Sequence, residues 1–203
     1  SRALLPAVHA AGTRLGALRA DAAEALGLRT GTAVAVGGGD TQCALLGMGA
    51  LAAGASAAVC GTTAPIQRVV AEPRLDAGGV LWLEPHLLPG RFVLESNAGV
   101  CGEALEWLGK LLFSGPGSGS ARLFAEASQI APGAAGLLSS FGAQVFDARA
   151  MSFPVGDLTL SHVSGRPEDG RASVARAAAE GVAYALRANL EQLRAAAGAD
   201  RAP

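Results

Sequence analysis

Aromatic side chains are scarce. Phe, Tyr and Trp make up 4% of the 203 residues, although half of the chain is hydrophobic. The core must therefore be filled by small apolar side chains, with alanine in the lead. Charge is scarce too. Lys and Arg number 16 and Asp and Glu 17, a formal net charge of −1. That balance excludes broad electrostatic capture of nucleic acid or of an anionic membrane. Low charge with high apolar content also excludes disorder. The three cysteines, Cys43, Cys60 and Cys101, form no CxxC and no His-spaced set. A disulfide framework and a zinc site are excluded on that count, and a reducing cytoplasm is the expected compartment. No run of about 18 apolar residues occurs, so no membrane span is expected. The opening SRALLPAVHAAG lacks a signal-peptide layout. Ser1 in place of Met, and a stop at Pro203 just after a long helical pattern, read as ends cut from a longer chain.

Several catalytic signatures are missing as well. There is no GxSxG, no GK[ST] and no GxGxxG followed by a distant acid. Serine hydrolase, Walker-type and dinucleotide-binding readings fall with them. His9 in a helical segment, His86 after Pro85 and His162 in a loop read as structural rather than catalytic.

What is present has a definite order. Residues 6–26 read as an amphipathic helix closed by Gly27. Thr32–Val36 is a short strand, followed by Gly37-Gly38-Gly39-Asp40 and an apolar helix over 41–48. Ala57–Cys60 and Ile66–Val70 read as a hairpin around Gly61-Thr62-Thr63, with Pro65 weakening the second strand. Val80–Leu83 and Arg91–Leu94 are strand candidates about a turn at Pro89-Gly90. Helices are expected over 98–113 and 121–129, separated by the Ser- and Gly-rich stretch 114–120. Residues 132–165 are the least periodic, with short strands suggested at 137–138, 144–146 and 157–160. Glu168-Asp169 reads as the cap of a final helix. That helix carries Val174, Ala178, Val182, Leu186, Leu190 and Leu193 on one stripe, with Gly181 allowing close packing. Such alternation is the α/β pattern, and a composition shift near 50–54 suggests a boundary.

Three segments have chemical meaning. A carboxylate at a helix start after three glycines is held ionised by the macrodipole and can take a proton from a substrate hydroxyl. The plainer alternative is that Asp40 is an N-cap. Hydroxyls and N–H groups at Gly61-Thr62-Thr63 can form an anion nest, or an ordinary hairpin turn. Ala98-Gly-Val-Cys-Gly102 can offer helix N-terminal donors to a phosphate, or simply pack closely.

In sequence, GTAVAVGGGDTQCALLGMGAL, VCGTTAPIQRV, ESNAGVCGEALEWLGKLL and RAAAEGVAYALRANLEQL together resemble the FGGY carbohydrate kinases, xylulose kinase-like and autoinducer-2 kinase-like members above all. The resemblance covers about residues 25 to 195. It implies a partial actin-like (ribonuclease H-like) ATPase fold. Residues 1–53 would be the C-terminal end of the sugar-binding domain and 54–203 the nucleotide-binding domain, stopping before the adenine motif. It implies that Asp40 is the base and that Thr41 and Gln42 contact substrate. Gly61, Thr62, Thr63, Gly102 and Glu106 would contact nucleotide. ATP and Mg2+ are the implied cofactors and a sugar or polyol the partner, with no nucleic acid and no membrane, and with room for a homodimer. Two departures stand out. The family's N-terminal Asp-x-Gly-Thr/Ser hairpin is absent from the 203 residues, as is the glycine-rich adenine motif. Ser139–Gly142 and Gln144–Asp147 replace the usual Gly-Glu-Arg-x-x-Pro text. A chain of this extent is expected to be inactive by itself. A non-catalytic kinase-like remnant that binds a sugar or a protein is the competing expectation.

Overall fold

The structure is a computed structural model that describes Leu4 and residues 6–150, 159–166 and 170–198. Strand β1 (Arg14–Ala17) pairs antiparallel with β2 (Ala33–Ala35), with helix α1 (Ala20–Leu26) between them. Helix α2 (Asp40–Gly47) follows the glycine turn. Then β3 (Ser56–Ala58), β4 (Pro65–Val70), β5 (Trp82–Pro85) and β6 (Phe92–Asn97) form one antiparallel sheet in the order β3-β4-β6-β5. Helices α3 (Cys101–Leu112) and α4 (Gly119–Ala127) follow. A small ribbon, β7 (Leu138–Ser139) with β8 (Leu160–Ser161), precedes the 27-residue α5 (Arg171–Ala197).

The sheet is covered on both faces. Ile66, Val70, Leu94 and Leu193 belong to the cluster that joins one face to α5. On the other face Val69 and Val93 meet Leu45 of α2 and Ala50 just beyond it. Each fully buried Leu or Val contributes about 1.5–3 kcal/mol relative to exposure. Successive residues of β4 and β6 pack alternately on the two faces, as the strand period requires, so both strands are buried almost throughout. Pro65 opens β4 instead of interrupting it, the place where a missing N–H costs least.

Buried polar groups tie the layers together. Asn189 of α5 is fully buried. Its Oδ1 accepts from Ser96 Oγ and from the Phe146 N–H, and its Nδ2 donates to the carbonyls of Gln144 and Ala185. Close approach is built with glycine at the α3–α4 crossing, where a Cβ on Gly109 would overlap the Gly119 carbonyl. Gly181 is likewise required on α5. A Cβ there would overlap the Ser139 carbonyl of β7.

Several expectations need correction. Residues 6–26 are not one helix: only Ala20–Leu26 are helical, and Arg14–Ala17 are strand. Gly12 and Gly16, at φ 79° and 156°, break the helical run, and the exposed β1 pairs with β2 instead. His9 is therefore not in a helix. No strand forms at 144–146, because Phe146 and Gln144 spend their backbone groups on Asn189. Asp157, Leu158, Glu168 and Asp169 lie outside the described residues.

Candidate functional site

Asp40 is the first residue of α2 and is exposed. Gly39, not Asp40, holds the N-cap position, so the capping alternative for Asp40 fails. The Asp40 Oδ1 accepts the N–H of Thr41 at 2.8 Å. Thr41 Oγ donates to Gln42 Oε1 at 3.0 Å, and Gln42 Nε2 donates to Glu84 Oε2 on β5. The amide of Gln42 is thus engaged at both ends by the protein. The glycines before Asp40 also serve the protein's own packing. A Cβ on Gly38 would overlap the Leu87 side chain, and one on Gly39 would overlap Gln42 Oε1. Gly37 alone faces open space.

Beneath α2 the sheet face carries carboxylates that sequence reasoning passed over. Glu95 on β6 is buried and accepts from Gln67 Nε2 at 2.7 Å. Burial first, then the nearby charge of Glu84, pushes its carboxyl up to about 7, against a weaker lowering by Gln67. Burial also raises Glu84, and the Gln42 hydrogen bond opposes it. A signal existed: each is a carboxylate inside an apolar strand run, where a charge is rare unless partnered. A cavity of about 550 Å3 opens beside this cluster, with His9, Gly37, Gly39, Gln42, Glu84 and His86 among its walls. His86 is buried and its Nε2 lies 3.3 Å from the Ala50 carbonyl, a structural setting.

The second site is a groove of about 760 Å3 between α3, α4 and α5. Gly61, Thr62, Gly102 and Glu106 all line it. Thr63 does not; its carbonyl accepts the Gly61 N–H at 3.0 Å and shapes the turn. The Thr62 carbonyl accepts the Gly102 N–H at 3.1 Å, so turn and helix are locked together. The N–H groups of Thr62 and Thr63 meet no acceptor among the described residues. Two successive free donors at a turn form the kind of concavity that receives an anion. Phe124 of α4 and Ala179, Val182, Ala183 and Leu186 of α5 supply an apolar side, which no sequence motif announced.

Glu106 stands at the groove rim, but its carboxylate is committed. It accepts from Ser118 Oγ, Ser120 Oγ and the N–H groups of Gly119 and Ser120, and pairs with Lys110 at 3.0 Å. Those donors, Ser118 foremost, hold its carboxyl well below the usual carboxylate range. In effect Glu106 caps α4 from a neighbouring helix. Among the described residues no group of three or more His, Cys, Asp or Glu gathers to hold a metal ion. Nor is any described helix long and apolar enough to cross a membrane.

No family model matches the sequence. Relatives are nonetheless clear. The chain is 31% identical over 201 residues to the autoinducer-2 kinase of Escherichia coli K12, covering 94% of this chain and 37% of that one. Over 106 residues it is 40% identical to the autoinducer-2 kinase of Klebsiella pneumoniae, 51% of this chain and 20% of the relative. The xylulose kinase of Rhodospirillum rubrum superposes with a TM-score of 0.72 at 29% identity, over 95% of this chain and 38% of the kinase. A Plasmodium falciparum glycerol kinase with ADP shares the fold, at a TM-score of 0.73 and 16% identity. The chain thus spans less than two-fifths of the length of the relatives it matches. By sequence and by its α/β, actin-like ATPase fold, the chain belongs with the FGGY carbohydrate kinases, matching a stretch of them and not their whole length.

Proposed function

We propose that this stretch is the base-bearing and phosphate-binding part of an ATP-dependent kinase acting on a hydroxyl of a sugar or polyol. One observation carries the reading. Gly61 and Thr62 meet Gly102, some forty residues on, in one groove, where the Thr62 N–H has no acceptor among the described residues and an apolar wall stands beside it. That combination suits a nucleotide, with phosphates on the Thr62–Thr63 turn and a base against Phe124 and α5. Asp40, exposed at the head of α2, is the base that takes the proton from the attacking hydroxyl. Thr41 is its neighbour on the substrate side. Mg2+ would arrive on the phosphates, where it neutralises charge in transfer. Glu106 then acts through its stem at the rim, because its carboxylate is held by α4. The division between the two domains is placed near residue 53, just ahead of the sheet that begins at Ser56.

The 203 residues contain no Asp-x-Gly-Thr hairpin to complete a phosphate clamp. We therefore expect activity only in a longer gene product. The test couples ADP release to a panel of ketoses, polyols and related hydroxylated compounds, with the gene product and the 203 residues side by side. Phosphorylation by the gene product alone supports the reading. Absence of turnover from both, with nucleotide or sugar binding retained, favours a non-catalytic remnant.

A further inference from the structure

Three features of the β5 side of α2 have no part in the reading above. Gln42 leaves the helix and reaches Glu84 on β5. Gly39 has a φ of −59°, which any residue adopts, so its lack of a side chain matters for space, and that space is taken by Gln42 Oε1. At the far end of α2, His86, directly after β5, meets the Ala50 carbonyl. One edge strand thus grips the helix before its first turn is complete and again past its last.

We infer that Gln42 and Glu84 are positioning residues for Asp40. The chain Glu84–Gln42–Thr41–Asp40 fixes the base-bearing turn to the sheet that carries the groove. This rests on the kinase reading for its consequence, but not for its geometry. Every link is a hydrogen bond with an assigned direction. Glu84 accepts from Gln42, Gln42 accepts from the Thr41 hydroxyl, and Asp40 accepts from the Thr41 N–H. Both hydrogen-bonding functions of the Gln42 amide are used at once, the carbonyl accepting and the NH2 donating. Gln42 stands among three carboxylates: Glu84, which it bonds, Asp40 at the head of α2, and Glu95 on β6, whose carboxyl the charges of Glu84 and Asp40 both raise. A neutral amide is the partner that accepts this anionic company without adding to it. Because the tether crosses the division placed near residue 53, it couples the turn that bears Asp40 to the sheet whose β3–β4 connection carries Thr62 into the groove.

The decisive variants are Gln42→Leu, Glu84→Leu, their double, and Gln42→Glu. In the chain at pH 8, hydrogen exchange at the Cys43 and Ala44 amides should rise about tenfold or more in either single variant. The double should show little further rise, since both remove one link. Gln42→Glu places two carboxylates together. It should exchange fast at pH 8 and return toward wild type, after correction for intrinsic rates, near pH 5, where one proton can be shared. Where the gene product turns over a sugar, the single variants should lower kcat about tenfold with KM for the sugar little changed. Unchanged exchange in the single variants, or no recovery of Gln42→Glu near pH 5, overturns the inference. A gene product without turnover sinks the kinase reading and leaves the exchange result to decide the tether.

Discussion

Gly102 presses against Gly61 so closely that a Cβ on Gly102 would overlap the Gly61 carbonyl and stand 3.4 Å from the Thr62 nitrogen. The glycine at the start of α3 is there because a hairpin turn sits on it, and the Gly102 N–H donates to that same turn. Gly102→Ala must move either the turn or the helix. Overpacking of this kind costs about 1–3 kcal/mol. Tm should fall by several degrees, and affinity for ADP should fall further than Tm alone implies, as the Thr62–Thr63 donors lose their alignment. Calorimetry and titration with ADP on one variant separate the two.

Asp40→Asn removes the proton acceptor and keeps the shape of the turn, including an oxygen for the Thr41 N–H. Turnover of an active gene product should drop by about 10²–10⁴-fold. Thermal unfolding should be unchanged, because the side chain is exposed. Near-normal turnover would remove Asp40 from the role of base.

Glu95 gives stability a pH slope. Its carboxyl is raised from 4.5 to about 7 in the fold, so the native state binds the proton more tightly than the unfolded chain. Its contribution is full below pH 4.5 and is lost as pH rises through 7. Glu95→Gln keeps an acceptor for Gln67 and has no charge to desolvate. Wild type minus variant stability, from denaturant titrations between pH 5 and 8, should decline with pH. A flat difference would mean that Glu95 is ionised in the fold across that range.

Glu106→Ala withdraws the acceptor that serves Ser118, Ser120 and two N–H groups of α4. The amides of Gly119 and Ser120 should exchange faster, with those of α5 unaffected. Since the Glu106 carboxyl is held below its ordinary range, its contribution to wild-type stability fades only in acid below that range.

Asn189→Ala strands the buried Phe146 N–H and leaves the Ser96 hydroxyl with Gln192 Oε1 alone. Loss of several buried hydrogen bonds at once should cost about 3 kcal/mol. Asn189→Asp should be worse, because it sets a buried carboxylate against the Gln144 and Ala185 carbonyls that Nδ2 had bonded.

The parts legible in the sequence were those whose period is set by burial. The strand of Ile66–Val70 is buried as expected, and α5 forms as one long helix, though its most buried line runs through Ala178, Gly181, Ala185, Asn189 and Leu193, with Val182, Leu186 and Leu190 half-buried at its side. Residues 6–26 misled because alanine and arginine are good helix formers, while the pairing of β1 with β2 is decided by Gly12 and Gly16. At the site, the order of the glycine turns was readable, and their reasons were not. Gly38, Gly39 and Gly102 read as room for a ligand, whereas each first makes room for Leu87, Gln42 or Gly61. Glu84, Glu95 and Phe124 carry no motif, since they meet their neighbours only through pairing and helix crossing. Gln42, read as a substrate contact, is drawn away by a carboxylate 42 residues on.

Two of the α5 residues that line the groove, Ala179 and Ala183, are small and one helical turn apart. An alanine codon becomes a valine codon by one base change. The width of the groove is therefore a quantity that single-step mutation can adjust in small increments, without touching the turn at Thr62 and Thr63. Duplicated genes could drift apart in what the groove accepts while Asp40 and its link to Glu84 stayed as they are.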